Sequence, residues 1–352
     1  MNLLTIKNFS KSYTDKILFD NADFSINSKE KIGIIGVNGT GKSTLLKIIA
    51  GIDTCDSGQL SKGNNVVIRY LPQTPDFTET VSIYDYVITA NSNEENQWSI
   101  EGDAKAFLHR LGFDDTSLMV NTLSGGQRKK VALAAALLSS CDILVLDEPT
   151  NHLDMDSISW LEGFLASYQG SVIIVSHDRY FLDKIVTKIV ELDNGHGQVY
   201  NGNYTYFAGK RAEIRESMMK AYLNQQQEIK HQEEVITKLK QFNREKSIKR
   251  AESREKMLSK IEKLDKPTEV ASEMKLTLEP NILSGEDVLT IEGLTKSFGD
   301  NILFSGIDMD IKRGEHVALI GGNGTGKTTI LKMINKLLPK DAGTIILGSR
   351  VK

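Results

Sequence analysis

No run of apolar residues in this chain approaches the roughly 18 that a membrane-spanning helix needs. The most apolar stretch, Val131 to Leu146, is broken by Ser139, Ser140 and Asp142. The opening MNLLTIKNFSKSY carries no cleavable signal pattern. Cysteine is nearly absent: Cys55 and Cys141 are the only two in 352 residues. That excludes a disulfide scaffold and fits two small buried side chains in a reducing, cytoplasmic compartment. Net charge is also lacking. The balance of 43 basic and 46 acidic residues leaves −3, so a nucleic-acid partner would have to be met by a local patch. Apolar content of 40% and charged content of 25% are ordinary for a globular chain, and the length allows two domains or more. From Lys210 to Lys266 neither glycine nor proline occurs.

What is present is a repeat. Gly36-Val37-Asn38-Gly39-Thr40-Gly41-Lys42-Ser43 and Gly321-Gly322-Asn323-Gly324-Thr325-Gly326-Lys327-Thr328 lie 285 positions apart, and both fit the phosphate-binding pattern GxxxxGK[ST]. The same offset relates Leu4 to Leu289, Tyr13 to Phe298, Gly58 to Gly343 and Gly63 to Gly348. Glycines let a backbone wrap a triphosphate closely with its N–H groups, and the helix that follows adds favourable potential. Lys42 and Lys327 would reach the β- and γ-phosphates, and Ser43 and Thr328, each followed by Thr44 or Thr329, would hold Mg²⁺. Ile32 to Ile35 reads as the strand entering the first loop, and Ser43 to Ala50 as the helix leaving it. The wholly apolar runs Ile143–Leu146 and Val172–Val175 read as strands of a parallel sheet covered on both faces. The stretch from about 76 to 123 reads as a helical insertion, with a loop over Asn91–Gln97.

Two further motifs belong to the first copy. Leu144-Val145-Leu146-Asp147-Glu148-Pro149 is an apolar strand ending in a carboxylate pair, in which Asp147 would act on Mg²⁺ and Glu148 would polarise an attacking water. In Leu123-Ser124-Gly125-Gly126-Gln127, Ser124 is a good N-cap and the paired glycines expose backbone donors.

In the order Tyr13, Gly36–Ser43, Gln73, Leu123–Gln127, Asp147–Glu148, Asp154, His177, the chain resembles the nucleotide-binding domain of ATP-binding cassette (ABC) proteins. The resemblance implies ATP and Mg²⁺ as ligands. It makes Tyr13 the aromatic that stacks on adenine, with Phe298 as its second-copy equivalent. Gln73 becomes the glutamine that senses Mg²⁺ and the attacking water, Asp154 the loop that acts across a cassette pair, and His177 the switch histidine on the γ-phosphate. Taken singly, Tyr13 or Gln73 reads equally well as a structural residue. The implied fold is α/β: an ABC-type P-loop NTPase cassette (residues 1–207) with a helical subdomain, a charged α-helical hairpin linker (208–285), and the N-terminal part of a second cassette (286–352).

Two cassettes, Pro149–Asp154, Ser176–Asp183, a charged helical linker and no membrane segment together resemble the ABC-F subfamily. That resemblance implies an ATPase acting on the ribosome, with the linker contacting tRNA; some members relieve stalls and some protect against antibiotics. In the linker, Tyr222, Ile229, Ile236 and Leu239 form one apolar stripe and Ala251, Leu258 and Ile261 another, as in two packed helices, with Pro267 and Pro280 bracketing the exit. About 30 residues of helix would span on the order of 45 Å. Lys246, Lys249, Arg250 and Arg254 sit in a local basic excess suited to phosphate backbones; the same charges could serve solubility alone. Phe242 could stack on a base or pack. Because the chain stops before a second signature and a second carboxylate pair, we expect a C-terminally truncated protein that binds MgATP and turns it over weakly. Pairing of two first cassettes into a homodimer is the exception allowed for. The alternatives are the energy-coupling ATPase of a membrane transporter and a fragment that only binds nucleotide.

Overall fold

The computed structural model describes residues 1–13, 16–77, 80–92, 100–193, 195–241, 245–260, 264, 266, 284–299 and 301–351, with the side chains of 245–247 left aside. The chain divides into two compact units, Met1–Tyr204 with Glu279–Lys352, and Thr205–Leu278.

The first unit opens with the antiparallel strands β1 (Asn2–Tyr13) and β2 (Lys16–Asn27), then β3 (Lys31–Gly36), α1 (Lys42–Ile49), β4 (Ser57–Lys62) and β5 (Ile68–Leu71). Helices α2 (Ile83–Thr89), α3 (Ile100–Arg110) and α4 (Gly125–Leu138) follow. The first copy closes with β6 (Ile143–Asp147), α5 (Met155–Ser167), β7 (Ser171–Val175), α6 (Arg179–Ile185), β8 (Lys188–Asp193) and β9 (His196–Tyr200). Strand order in the main sheet is β5-β6-β7-β3-β8-β9, parallel except for the β8–β9 hairpin. Every residue of β6 and β7 is buried, which is why those runs are apolar without alternation. A second sheet, β2-β1-β4, is antiparallel. Phe9, Phe19 and Ile26 of that sheet share one core with Ile32 and Ile34 of β3, Val145, Ile173, and Leu45, Leu46 and Ile49 of α1. The glycine loop therefore leaves β3 at the carboxyl edge of a parallel sheet, the edge at which α/β folds bind ligands. The helical insertion forms as α2 and α3; most of Asn91–Gln97 lies outside the described residues.

In the second unit, α7 (Tyr204–Gln241, its first residue in the other unit) is 38 residues long, on the order of 55 Å, and α8 is Glu245–Leu258. The first helix is thus longer than its periodicity indicated, and it ends at Gln241 with no glycine or proline to announce that end. Ile229, Ile236 and Ala251 of the two apolar stripes are buried. Lys240–Glu255 (2.6 Å) and Arg254–Gln232 (2.6 Å) join the two helices. Ile261, Phe242, Pro267 and Pro280 lie outside the described residues.

The second copy reproduces the first at the same offset: β10 (Asp287–Phe298), β11 (Asn301–Lys312), α9 (Lys327–Ile334) and β12 (Ala342–Leu347), in sheet order β11-β10-β12. One element departs from that repeat. His316–Gly321, the counterpart of β3, forms no strand, and Val317 is 51% exposed where its counterpart Ile32 is fully buried. A central parallel strand is defined by its neighbours. Strand β3 has β7 and β8 on its two sides, and their counterparts at this offset would fall past Lys352.

Candidate functional site

The first glycine loop is shaped by backbone that few residue types accept. Gly41 has φ +94°, and a Cβ there would meet the Phe19 ring at 2.9 Å; Gly326 repeats this with φ +93° and Phe304 at 2.7 Å. Thr40 Oγ1 donates to the Val37 carbonyl (2.9 Å), as Thr325 does to Gly322 (3.0 Å). Lys42 Nζ donates to the carbonyls of Gly36 (2.8 Å) and Val37 (3.1 Å). Lys327 holds those of Gly321 (2.6 Å) and Gly322 (2.5 Å) in the same way.

An open cavity of about 700 Å³ gathers residues from five separate segments: Tyr13, the loop from Asn38 through Gly39, Gly41, Lys42, Ser43 and Thr44, then Gln73, Asp147–Glu148 and His177. Gly36 closes the loop's base through its carbonyl. Tyr13, Lys42, Ser43, Gln73, Asp147, Glu148 and His177 thus line one cavity, whereas Thr40 is not among its lining residues.

The electrostatics of its floor are unusual. Asp147 and Glu148 are only 1% and 4% exposed. Both oxygens of Asp147 and Oε1 of Glu148 are buried without a hydrogen-bond partner. Burial pushes the Asp147 carboxyl above its ordinary range, against the pull of the Ser43 hydroxyl, Lys129 and Lys42. It raises Glu148 as well, against the pull of His177. Burial conversely lowers Lys42, offset by Glu148 and Asp147. Glu148 also has φ +52°, a left-handed conformation costly for a non-glycine residue. Its N–H donates to the Val175 carbonyl (2.8 Å), its Oε2 accepts from the His177 N–H (3.3 Å), and its Oε1 lies 3.4 Å from His177 Nε2.

Orphaned buried carboxylate oxygens beside a hydroxyl and a lysine are what a hard divalent cation and its waters would satisfy. Among the described residues no three His, Cys, Asp or Glu side chains could hold a metal by themselves. The set Ser43, Asp147 and Gln73 therefore suits an ion that also takes oxygens from phosphate, as Mg²⁺ does.

The raised carboxyls carry a stability consequence of definite sign. As pH rises, the unfolded state ionises first, so the nucleotide-free chain loses stability between the ordinary carboxylate range and the raised folded value. Asp147→Asn removes one such group. At neutral pH it is expected to raise the thermal midpoint of the nucleotide-free chain by roughly a few degrees, with the gain shrinking as pH falls toward the ordinary range. Melting curves across pH check this; an unchanged or lowered midpoint at neutral pH counts against it.

Tyr13 Oη donates to Asp53 (2.6 Å), and the Lys11 ammonium sits 5.2 Å from its ring centroid. Phe298 has Lys296 over its ring at 5.3 Å but no hydroxyl, and the position matching Asp53 is Leu338. Both rings are about half exposed, with a cation on one face.

Ser124 closes a full capping box: its hydroxyl accepts from Gln127 N–H, and Gln127 Oε1 accepts from Ser124 N–H at 3.0 Å. This segment does not line the cavity of the first loop. Instead Gly126 abuts His152, where a Cβ would lie 3.2 Å from the ring. His152 O accepts from Asn323 Nδ2 (3.0 Å), and Asp154 Oδ2 accepts from Asn323 N–H (3.3 Å). The second glycine loop thus meets the Asp154 loop beside the signature. Asp154 also caps α5 through Ser157 N–H (3.0 Å). Although burial opposes it, the bonds from Ser157 and Asn323 and the charge of Lys130 hold its carboxyl below the ordinary range. Thr328 and Thr329 follow Lys327 in the first turn of α9, and Phe298 ends β10.

Sequence reasoning missed Lys129. It is 4% exposed, and its Nζ donates to the carbonyls of Gln73 (3.0 Å) and Asp147 (2.9 Å), tying the signature helix to two motif segments. The available signal was a pair of lysines directly before the wholly apolar run Val131–Leu138 of the same helix.

A family model described as ABC transporter matches residues 19–151 and 304–352, and a second with that description matches 190–277. The chain belongs to the ABC-F branch of the ATP-binding cassette family. It is 34% identical to the Uncharacterized ABC transporter ATP-binding protein YfmR of Bacillus subtilis over its whole length, spanning 61% of that protein. It is 33% identical to ABC transporter F family member 2 of Arabidopsis thaliana, covering 97% of this chain and 57% of that one. It is 30% identical to the Energy-dependent translational throttle protein EttA of Mycobacterium tuberculosis, covering 99% of this chain and 68% of that one. The solved structure of RNase-L Inhibitor superposes with TM-score 0.51 at 26% identity, over 61% of this chain and 42% of that one. An ATP-binding subunit of an ABC transporter shares the fold alone, at TM-score 0.50 and 22% identity over 56% of this chain and 90% of that one. Among the described residues no helix is long and apolar enough to cross a membrane.

Proposed function

We propose that this ABC-F chain binds MgATP at the first glycine loop, hydrolyses it, and uses cassette closure to act on the ribosome. The observation that carries the nucleotide reading is the buried carboxylate pair Asp147–Glu148, three of whose oxygens lack a hydrogen-bond partner, lining one cavity with Lys42 and Ser43. In this reading Tyr13 stacks on adenine, Lys42 takes the β- and γ-phosphates, and Ser43, Asp147 and Gln73 hold the Mg²⁺. Bound Mg²⁺ would neutralise phosphate charge. Glu148 orients water for attack and His177 meets the γ-phosphate. A second nucleotide lies between Phe298, Lys327, Thr328 and the Ser124–Gln127 signature. The contact of Asn323 with Asp154 supports this pairing within one chain; symmetric pairing of two first cassettes would use the same Asp154 loop. The unit boundaries that accompany this reading are 1–207, 208–285 and 286–352.

The ribosomal part rests on the branch and on the hairpin, since the EttA relative is named a translational throttle. Lys249, Arg250 and Arg254 are exposed on α8, with Arg254 also bonded to Gln232; the Lys246 side chain lies outside the described residues. Reversing Lys246, Lys249, Arg250 and Arg254 to Glu is expected to weaken co-sedimentation with ribosomes at least tenfold at low salt and to flatten its salt dependence. Unchanged pelleting through a salt series would overturn the hairpin as the RNA-contacting element.

A further inference from the structure

The two glycine loops are nearly identical, but among the described residues a second cation reaches only the first. Lys16 Nζ donates to the Gly39 carbonyl at 2.8 Å. It lines the same cavity as Lys42, Ser43, Thr44 and Tyr13. Its side chain is exposed, and among the described residues no carboxylate pairs with it. It is parked as Lys42 is parked, with an ammonium on a loop carbonyl. That contact is weaker than one to an anionic oxygen and is exchanged readily when phosphate arrives. The hairpin register sets Lys16 directly opposite Tyr13. Lys16 thus stands between the aromatic platform for the base and the loop that wraps the terminal phosphates. In the second copy the register pairs Phe298 with Asn301, so the position holds an uncharged amide.

We propose that Lys16 is a further nucleotide-binding residue, a cation for the phosphate nearest the ribose, and that it makes the first site bind nucleotides more tightly than the second. The inference rests on the nucleotide reading of this cavity. It predicts a loss different from that of Lys42, whose ammonium serves the outer phosphates. A contact to the innermost phosphate is shared by ATP, ADP and AMP, whereas one to the outer phosphates is graded across them.

Titrating ATP, ADP and AMP calorimetrically into the full chain carrying Lys327→Ala, which silences the second loop, tests it. Lys16→Ala is expected to weaken all three by a similar factor of about tenfold, the scale of one charge-assisted hydrogen bond. Lys16→Arg should retain most of the affinity. In a Lys42→Ala background, Asn301→Lys should tighten binding at the second loop by several-fold. If Lys16→Ala leaves all three affinities unchanged, or the loss is confined to ATP, the assignment is overturned. The underlying reading is judged separately, by whether Lys42→Ala weakens ATP binding by about two to three orders of magnitude in the same assay.

Discussion

Lys42→Ala is expected to weaken ATP binding at the first loop by about two to three orders of magnitude, measured with Lys327→Ala in the background. The Lys42 ammonium is anchored at the root of the loop on the Gly36 and Val37 carbonyls, so its position is set before ligand arrives. Two charge-assisted hydrogen bonds to phosphate oxygens, each worth about 1.5–3 kcal/mol, account for a loss of that size. Burial lowers the Lys42 ammonium below its ordinary range, and the charges of Glu148 and Asp147 oppose that shift. Lys42→Arg is expected to rescue little, because a planar guanidinium is longer than the ammonium that fits between the two carbonyls. Equilibrium titration with a fluorescent ATP analogue reads both variants. An affinity within threefold of the parent would remove the first loop from the nucleotide site.

Gly58→Ala is expected to be the most damaging single methyl in the first copy, costing about 3 kcal/mol or more and lowering the thermal midpoint by roughly 5–10 °C. Gly58 has φ +105°, and a Cβ there would lie 2.6 Å from Phe9 Cα, 2.7 Å from Asn8 O and 2.8 Å from Lys7 O. All three neighbours are backbone, at the irregularity where β1 shifts register against β4 between Lys7 and Ser10, so no side-chain rotation relieves the contact. A Cβ at Gly343 would lie 2.4 Å from Gly293 O in the matching place. Gly51 is the control: φ is +74° with nothing within 4 Å of a Cβ, and its counterpart is Lys336 at φ +58°. Gly51→Ala should therefore cost only the left-handed penalty, about 1 kcal/mol. Equal losses for the two variants would refute the close-approach argument.

Part of this was available from the repeat before any coordinates. Asn8, Asn21 and Lys29 have positive φ, and the residues 285 positions on are Gly293, Gly306 and Gly314, also at positive φ. Aligning the chain with itself marks three left-handed positions that neither copy reveals alone. The apolar runs of β3, β6 and β7 were legible because strands buried on both faces need no alternation. The end of α7 at Gln241 was not, because a helix end without glycine or proline leaves no local mark. Lys129 and Lys16 were not legible either: a lysine's role depends on which carbonyl its ammonium reaches, and those carbonyls belong to other segments.

Contiguous residues, acting alone, determined the two phosphate loops, the carboxylate-ended strand, the signature cap and the branch of the family, since each of these is a backbone path with its own local chemistry. Tertiary structure alone decided which side chains share the cavity, that both oxygens of Asp147 and one of Glu148 are buried there without a hydrogen bond, and that Asn323 meets the Asp154 loop. It also decided that His316–Gly321 is no strand although β3 is. The physical reason is the same throughout. Burial, hydrogen-bond satisfaction and sheet pairing are completed by partners more than a hundred residues away, and a local pattern can offer a group for such a contact without specifying what will meet it.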